Sequence, residues 1–236
     1  MFNLAVFHPD VQETYRKTFS EKGYLVIDNV LTKQYIEDLY KSVPNLSYDY
    51  RGGYGDHYET VPATNPANGK LLRQRIKLNV EQHDFSYYHR IAKVRRDSIF
   101  DSPLTTEFAQ EINVGTVFKK WVQDITKFDY LYTSYPTFSF YTKNHWITPH
   151  YDPTRKVAYL FYLNKEWRNY WGGDLCLMDE KDKVHTTISP IGNRLVLMDV
   201  SKPNFNKHYV SPVSYAANFP RYSLVGWYSE RRPKTP

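Results

Sequence analysis

A chain of 236 residues, 41% hydrophobic and 24% charged, is long enough for one domain with its own core and too apolar for a disordered one. Its single cysteine, Cys176, excludes an internal disulfide, and its longest apolar run, Val157–Leu163, is too short to span a bilayer. The net charge of +6 admits nucleic acid or small anions as partners, but no helix-turn-helix, zinc-finger or RNA-recognition pattern accompanies it.

The basic clusters are Lys93/Arg95/Arg96 and Arg231/Arg232/Lys234, and the second reads as a solvated chain end. Nucleic acid is therefore not expected as a partner, and neither is a membrane. The opening residues lack the basic start and apolar stretch of a signal peptide, so a cytoplasmic location is expected.

In chain order, residues 10–22 read as a polar helix ended by Gly23, and Tyr24–Val30 as a strand. Thr32 begins a second helix running to about Val43, which Pro44 stops. Residues 51–70, with Gly52-Gly53, Gly55, Pro62, Pro66 and Asn68-Gly69, read as a long loop serving as a lid or binding loop. Leu71–Val80 reads as a strand, and residues 84–127 as interrupted helix.

From residue 128 onward the pattern changes. Short aromatic and β-branched runs recur at Tyr130–Ser134, Thr137–Thr142, Val157–Leu163, Asp174–Met178, His185–Ile188, Arg194–Asp199, His208–Val210 and Tyr222–Tyr228. Many short strands parted by turn residues predict a sandwich or jelly roll. No internal repeat or low-complexity segment interrupts them.

The segment that carries chemistry is Pro149-His150-Tyr151-Asp152-Pro153. Residues i and i+2 of a strand share a face, so an imidazole and a carboxylate can stand side by side. With one further histidine from another strand they form the two-His, one-carboxylate set of non-haem Fe(II) oxygenases. His-x-Asp alone is weak, because an aspartate before proline is usually a turn residue.

His208, in Lys207-His208-Tyr209-Val210, supplies the third donor. Thirteen residues on, Arg221 opens the apolar strand Arg221–Tyr228, with Ser223 on its face. A guanidinium there can grip a carboxylate through two parallel hydrogen bonds, with the Ser223 hydroxyl adding a third. His8, His57, His83, His89, His145 and His185 show no comparable spacing, and His145 reads as a loop residue near the site. A zinc site is disfavoured by the lack of His-Glu-x-x-His and of a partner for Cys176.

Several motifs in order extend this pattern: Tyr141, His150-Tyr151-Asp152, Tyr159–Trp167, Gly172-Gly173-Asp174-Leu175, Asn193–Leu197, His208 and Arg221-Tyr222-Ser223-Leu224. Together they resemble the catalytic core of the prolyl-hydroxylase branch of the 2-oxoglutarate/Fe(II) dioxygenases, over residues 130–230. Gly23–Leu31 is similar to the opening strand of such enzymes.

The resemblance implies a mainly β fold with flanking helices, a double-stranded β-helix of the jelly-roll, cupin-like kind. It implies one domain over 1–236, with residues 1–127 as support and substrate lid and 128–230 as the catalytic core. It implies His150, Asp152 and His208 as iron ligands, and Arg221, Tyr162, Tyr141 and Ser223 around 2-oxoglutarate. Trp227 would lie by the substrate, and Arg155 after the metal motif would face either substrate or solvent.

The cofactors expected are Fe(II), 2-oxoglutarate and O2, with ascorbate in support. The expected reaction is hydroxylation of a prolyl or other amino-acid residue in a protein or peptide. A free amino acid or small metabolite is the alternative substrate, and a non-catalytic jelly-roll binding module the alternative role. A nucleic-acid demethylase rests on basic charge alone. Asp152 stands where related halogenases have Gly or Ala, which favours hydroxylation. The His208-to-Arg221 interval is longer than in the oxygen-sensing relatives, implying an enlarged loop at 211–219.

Overall fold

A computed structural model describes residues 1–79, 85–92, 100–129, 132–133, 136–201 and 206–229. The clusters Lys93/Arg95/Arg96 and Arg231/Arg232/Lys234, and His83, lie outside them. Helix α1 (Pro9–Lys22) ends at Gly23, whose φ of 72° supplies the left-handed C-cap. Strand β1 (Tyr24–Asp28) and helix α2 (Lys33–Ser42) follow, and Thr32 holds the N-cap position of α2 without a side-chain cap bond.

The expected loop at 51–70 is instead a hairpin, β2 (Tyr48–Tyr54) and β3 (His57–Val61), followed by the start of helix α3 (Pro66–Asn79). Gly52 and Gly53 stand inside a strand because their neighbours leave no room for a side chain. A Cβ on Gly52 would sit 2.1 Å from Ile76 Cδ1, and one on Gly53 would sit 2.3 Å from the His57 carbonyl oxygen. The expected strand at 71–80 is also wrong: Pro66 opens a helix that buries Leu72 and Ile76 one turn apart.

The described residues between 84 and 127 are only partly helical. Strand β4 (Ser86–Ala92) lies within them, followed by helices α4 (Pro103–Asn113) and α5 (Thr116–Thr126). Long-range pairing of β4 with β2 overrides local helix preference there.

Strands β5 (Tyr132–Thr133), β6 (Thr137–Tyr141), β7 (Trp146–His150), β8 (Val157–Tyr162), β9 (Leu175–Met178), β10 (Val184–Ile188), β11 (Arg194–Asp199), β12 (Lys207–Val210) and β13 (Arg221–Ser229) complete the fold. The described strands form one curled antiparallel sheet along the path β1-β11-β8-β13-β6-β4-β7-β12-β9-β10. This is a jelly roll braced by helices. Strands β1, β2 and β4 join it, so the sheet draws on residues well before 128.

Strand β8 is buried on both faces, and its alternation divides the core. Val157, Tyr159 and Phe161 face the helices, packing with Phe108 of α4 and Phe118 of α5. Ala158, Leu160 and Tyr162 face inward toward Leu175, Leu177 and Val196. Two buried asparagines fasten the turns at this end. Asn193 Nδ2 donates to the Leu31 carbonyl at 2.9 Å while its Oδ1 accepts from Leu31 N–H at 2.8 Å. Asn164 Oδ1 accepts from Tyr222 N–H at 2.7 Å. No helix among the described residues is long and apolar enough to cross a membrane.

Candidate active site

Histidines 150 and 208 are cross-strand partners in the β7–β12 ladder, which sets their ring centroids 4.3 Å apart. Asp152 lies two residues past the end of β7 rather than within it, so the shared-strand geometry expected for His-x-Asp does not apply. The turn still brings its carboxylate in: Oδ1 is 3.9 Å from His150 Nε2 and Oδ2 is 3.6 Å from His208 Nε2. One donor atom from each of the three lies within 4.8 Å of the others.

The second ring nitrogens decide what the cluster can hold. His150 Nδ1 is 2.9 Å from the Thr148 carbonyl and His208 Nδ1 is 2.8 Å from the Asn206 carbonyl. A carbonyl only accepts, so each Nδ1 carries the proton and each Nε2 presents a lone pair. Burial, followed by the neighbouring His208, lowers the pKa of His150 to about 4, so its ring is neutral at pH 7. Two imidazole lone pairs and one carboxylate are the donor set that suits a ferrous ion.

Trp227 has a role that sequence reasoning missed. Its indole N–H donates to Asp152 Oδ2 at 2.6 Å, which orients the carboxylate. Replacing it with Phe should keep most of the apolar surface and free the carboxylate to rotate. We expect Trp227→Phe to weaken Mn(II) binding about 10- to 100-fold, read by titration calorimetry. Unchanged affinity would show that Asp152 does not need this bond.

A narrow cavity of about 120 Å³ runs from the histidine cluster to Arg221. Arg221 is 1% exposed, and its guanidinium lies 5.0 Å from the ring centroids of both Tyr141 and Tyr162. Register explains the arrangement. Strand β13 runs between β6 and β8, so Arg221 opposes Tyr141, and Ser223 opposes Tyr162. Arg221 Nη1 donates to Ser223 Oγ at 3.2 Å, so Ser223 orients the guanidinium. Nε and Nη2 of Arg221 and the Tyr162 hydroxyl are buried and have no hydrogen-bond partner among the described residues. Burial raises the Tyr162 and Tyr141 pKa values, so both phenols stay protonated as donors.

Gly172 and Gly173 contribute more than the tight turn expected of them. Both have positive φ, and a Cβ on Gly173 would lie 3.0 Å from Arg221 Cδ. The glycine thus leaves room for the arginine stem. His89 shows no ligand-like spacing in the sequence, yet β4 carries it to the site. It stacks on Tyr141 at 4.8 Å, lines the cavity, and has a buried Nδ1 without a partner among the described residues.

His145 is outside the His150/Asp152/His208 group but near the site as expected, with its ring 6.4 Å from that of Tyr141, which lines the cavity. It is buried in the turn between β6 and β7, where Thr142 N–H donates to its Nδ1 at 3.2 Å. Burial lowers its pKa to about 4. The unfolded chain takes up that proton near pH 6.5 and the folded one only near 4, so stability falls with pH between those values. By pH 5 the loss from His145 is about 2 kcal/mol. Denaturant unfolding at pH 7 and pH 5 should show this decline, and His145→Gln should make it shallower by about that amount, leaving the part due to His150. An identical decline in that variant would assign the effect elsewhere.

A second, wider cavity of about 430 Å³ adjoins the cluster on its other side. Phe85, Tyr87 and His89 of the N-terminal half meet Trp227, Arg155 and Asp152 of the C-terminal half there. Arg155 sits over the Trp227 ring at 5.9 Å, and its Nη1 donates to Ser229 Oγ at 3.1 Å. Arg51, from β2, lines the same cavity.

Known proteins resemble the chain in sequence and in fold. Residues 136–229 match the model of the 2OG-Fe(II) oxygenase superfamily. Compared by sequence, no curated protein matches. Among solved structures, a prolyl hydroxylase from Trichoplax adhaerens, in complex with a hypoxia inducible factor oxygen degradation domain peptide fragment, superposes with a TM-score of 0.64. It is 18% identical, over 94% of this chain and 90% of that one. A Pseudomonas putida prolyl-4-hydroxylase gives 0.60 at 16% identity, over 94% and 100%. A Phytophthora capsici prolyl 4-hydroxylase gives 0.58 at 16%, over 100% and 68%. At such identities these likenesses establish the fold.

Proposed function

We propose that the chain is a 2OG-Fe(II) dioxygenase, the family whose model matches residues 136–229, and that it hydroxylates an unactivated C–H bond of a prolyl or other amino-acid residue in a protein or peptide. The supporting observation is the buried guanidinium of Arg221. An unneutralised buried charge is strongly disfavoured, so the site calls for an anion at Nε and Nη2. That anion would share a cavity with His150, Asp152 and His208.

The donor set fits Fe(II), held by His150 Nε2, His208 Nε2 and the Asp152 carboxylate. Bound together, Fe(II), 2-oxoglutarate and O2 supply the oxidising chemistry for C–H hydroxylation, with ascorbate as a supporting reductant. Arg221 would pair with the distal carboxylate of 2-oxoglutarate, with the Tyr162 hydroxyl donating to it and Ser223 holding the guanidinium. Tyr141 would wall the cavity toward the chelating end. Leu160, Leu175 and Val210 keep water from this space.

Trp227 and Arg155 would border the substrate in the wider cavity. That cavity, about 430 Å³, has room for the side chain of an amino-acid residue, in keeping with a peptide substrate. Residues 1–127 would act as support and substrate cover, and 128–230 as the catalytic core of one domain.

Titrating Mn(II)-loaded protein with 2-oxoglutarate tests the co-substrate site. Succinate release with Fe(II), and a +16 Da screen of peptides against free amino acids, test the reaction. Failure to bind 2-oxoglutarate would sink the reading. Products from free amino acids alone would move it to the metabolite alternative.

A further inference from the structure

The wider cavity also bears on substrate chemistry, an inference that rests on the oxygenase reading. Asp152 is the only acidic side chain among the described residues lining it, and its charge is committed if it holds the metal. Arg51 and Arg155 bring two permanent positive charges, from a hairpin strand and from the turn after β7. We propose that the substrate carries a carboxylate, bound by Arg51 and Arg155, with its reacting carbon turned toward His150, Asp152 and His208.

Both guanidiniums are positioned by neutral groups. Arg51 lies 5.2 Å over the Tyr58 ring. Arg155 lies over Trp227 and donates to Ser229. Such contacts fix direction and leave the charge unneutralised. Glu59, on the strand paired with that of Arg51, is bonded instead to Arg75 at 2.9 Å. Among the described residues no carboxylate pairs with Arg51 or Arg155.

The apolar walls of Phe85, Ile91 and Val225 lower the local dielectric and strengthen any charge pair formed between them. Arginine presents a planar fork suited to carboxylate oxygens. The same charges repel a cation, so lysine-bearing substrates are disfavoured as acidic ones are favoured. The carboxylate can come from an acidic side chain flanking the target residue or from the free carboxyl group of a small acid.

The test uses Mn(II)-loaded protein with 2-oxoglutarate, without oxygen, so that binding is read without turnover. One series is blocked pentapeptides with a central prolyl residue flanked by aspartate or by asparagine. The other is free proline against prolinamide. The acid form should bind at least 10-fold more tightly than its amide twin in one series, which identifies the source. Arg51→Gln or Arg155→Gln should each cut that acid-over-amide ratio about 10-fold, the scale of a lost charged hydrogen bond. The ratio cancels any general loss of folding.

No acid preference in either series, including no binding by any acid, overturns the assignment. A preference that survives the double variant does so as well. If wild-type protein fails to bind 2-oxoglutarate, the oxygenase reading itself fails. If it binds 2-oxoglutarate but ignores acids, only the carboxylate assignment falls.

Discussion

His150→Ala and Asp152→Ala are each expected to abolish Fe(II)-dependent succinate formation, with a loss of at least about 1000-fold. The basis is the shared centre. Cross-strand register sets the two imidazoles against each other, and carbonyls at 2.9 and 2.8 Å fix their Nε2 lone pairs. Removing one donor leaves too few groups to retain the ion. Mn(II) titration should show the same loss, which separates metal binding from later steps. His208→Ala belongs to the same set. Full turnover in both His150 and Asp152 variants would remove the cluster from any role in the reaction.

Arg221→Ala is expected to raise the dissociation constant for 2-oxoglutarate about 100- to 1000-fold. Leaving a buried carboxylate unpaired costs about 3–5 kcal/mol, and about 1.4 kcal/mol is tenfold. The fold-change should appear in co-substrate titrations of the Mn(II)-loaded protein, with the metal affinity itself little altered. Arg221→Lys should recover only part of the loss. Its ammonium cannot reproduce the planar group held between Tyr141 and Tyr162. An unchanged constant in Arg221→Ala would remove Arg221 from the co-substrate site.

Much of the second half of the chain was legible because local pattern and tertiary structure agree there. Strands such as Val157–Tyr162 and Arg194–Asp199 are β-branched and aromatic, and turn residues bound them. The first half was misread where close packing, not local preference, chose the residues. Gly52 and Gly53 resembled loop breakers, yet they lie in a strand pressed against Ile76 and Tyr87. Pro66 was read as loop, though it opens a helix. His89 could have been found from the alternation Tyr87, His89, Ile91, had the segment been read with period two.

The sequence by itself determined the jelly-roll class, a resemblance to the 2OG-Fe(II) oxygenases and the identity of the residues that converge. Donor types and their order survive in a linear string, because the chemistry of a ferrous site demands particular atoms. Only the tertiary structure decided the rest. It placed Asp152 in a turn, bound Trp227 to its carboxylate, lodged Arg221 between two tyrosines and brought Arg51 into the cavity beside Asp152. Those relations depend on strand register and on contacts between residues far apart in the chain, which no local pattern encodes.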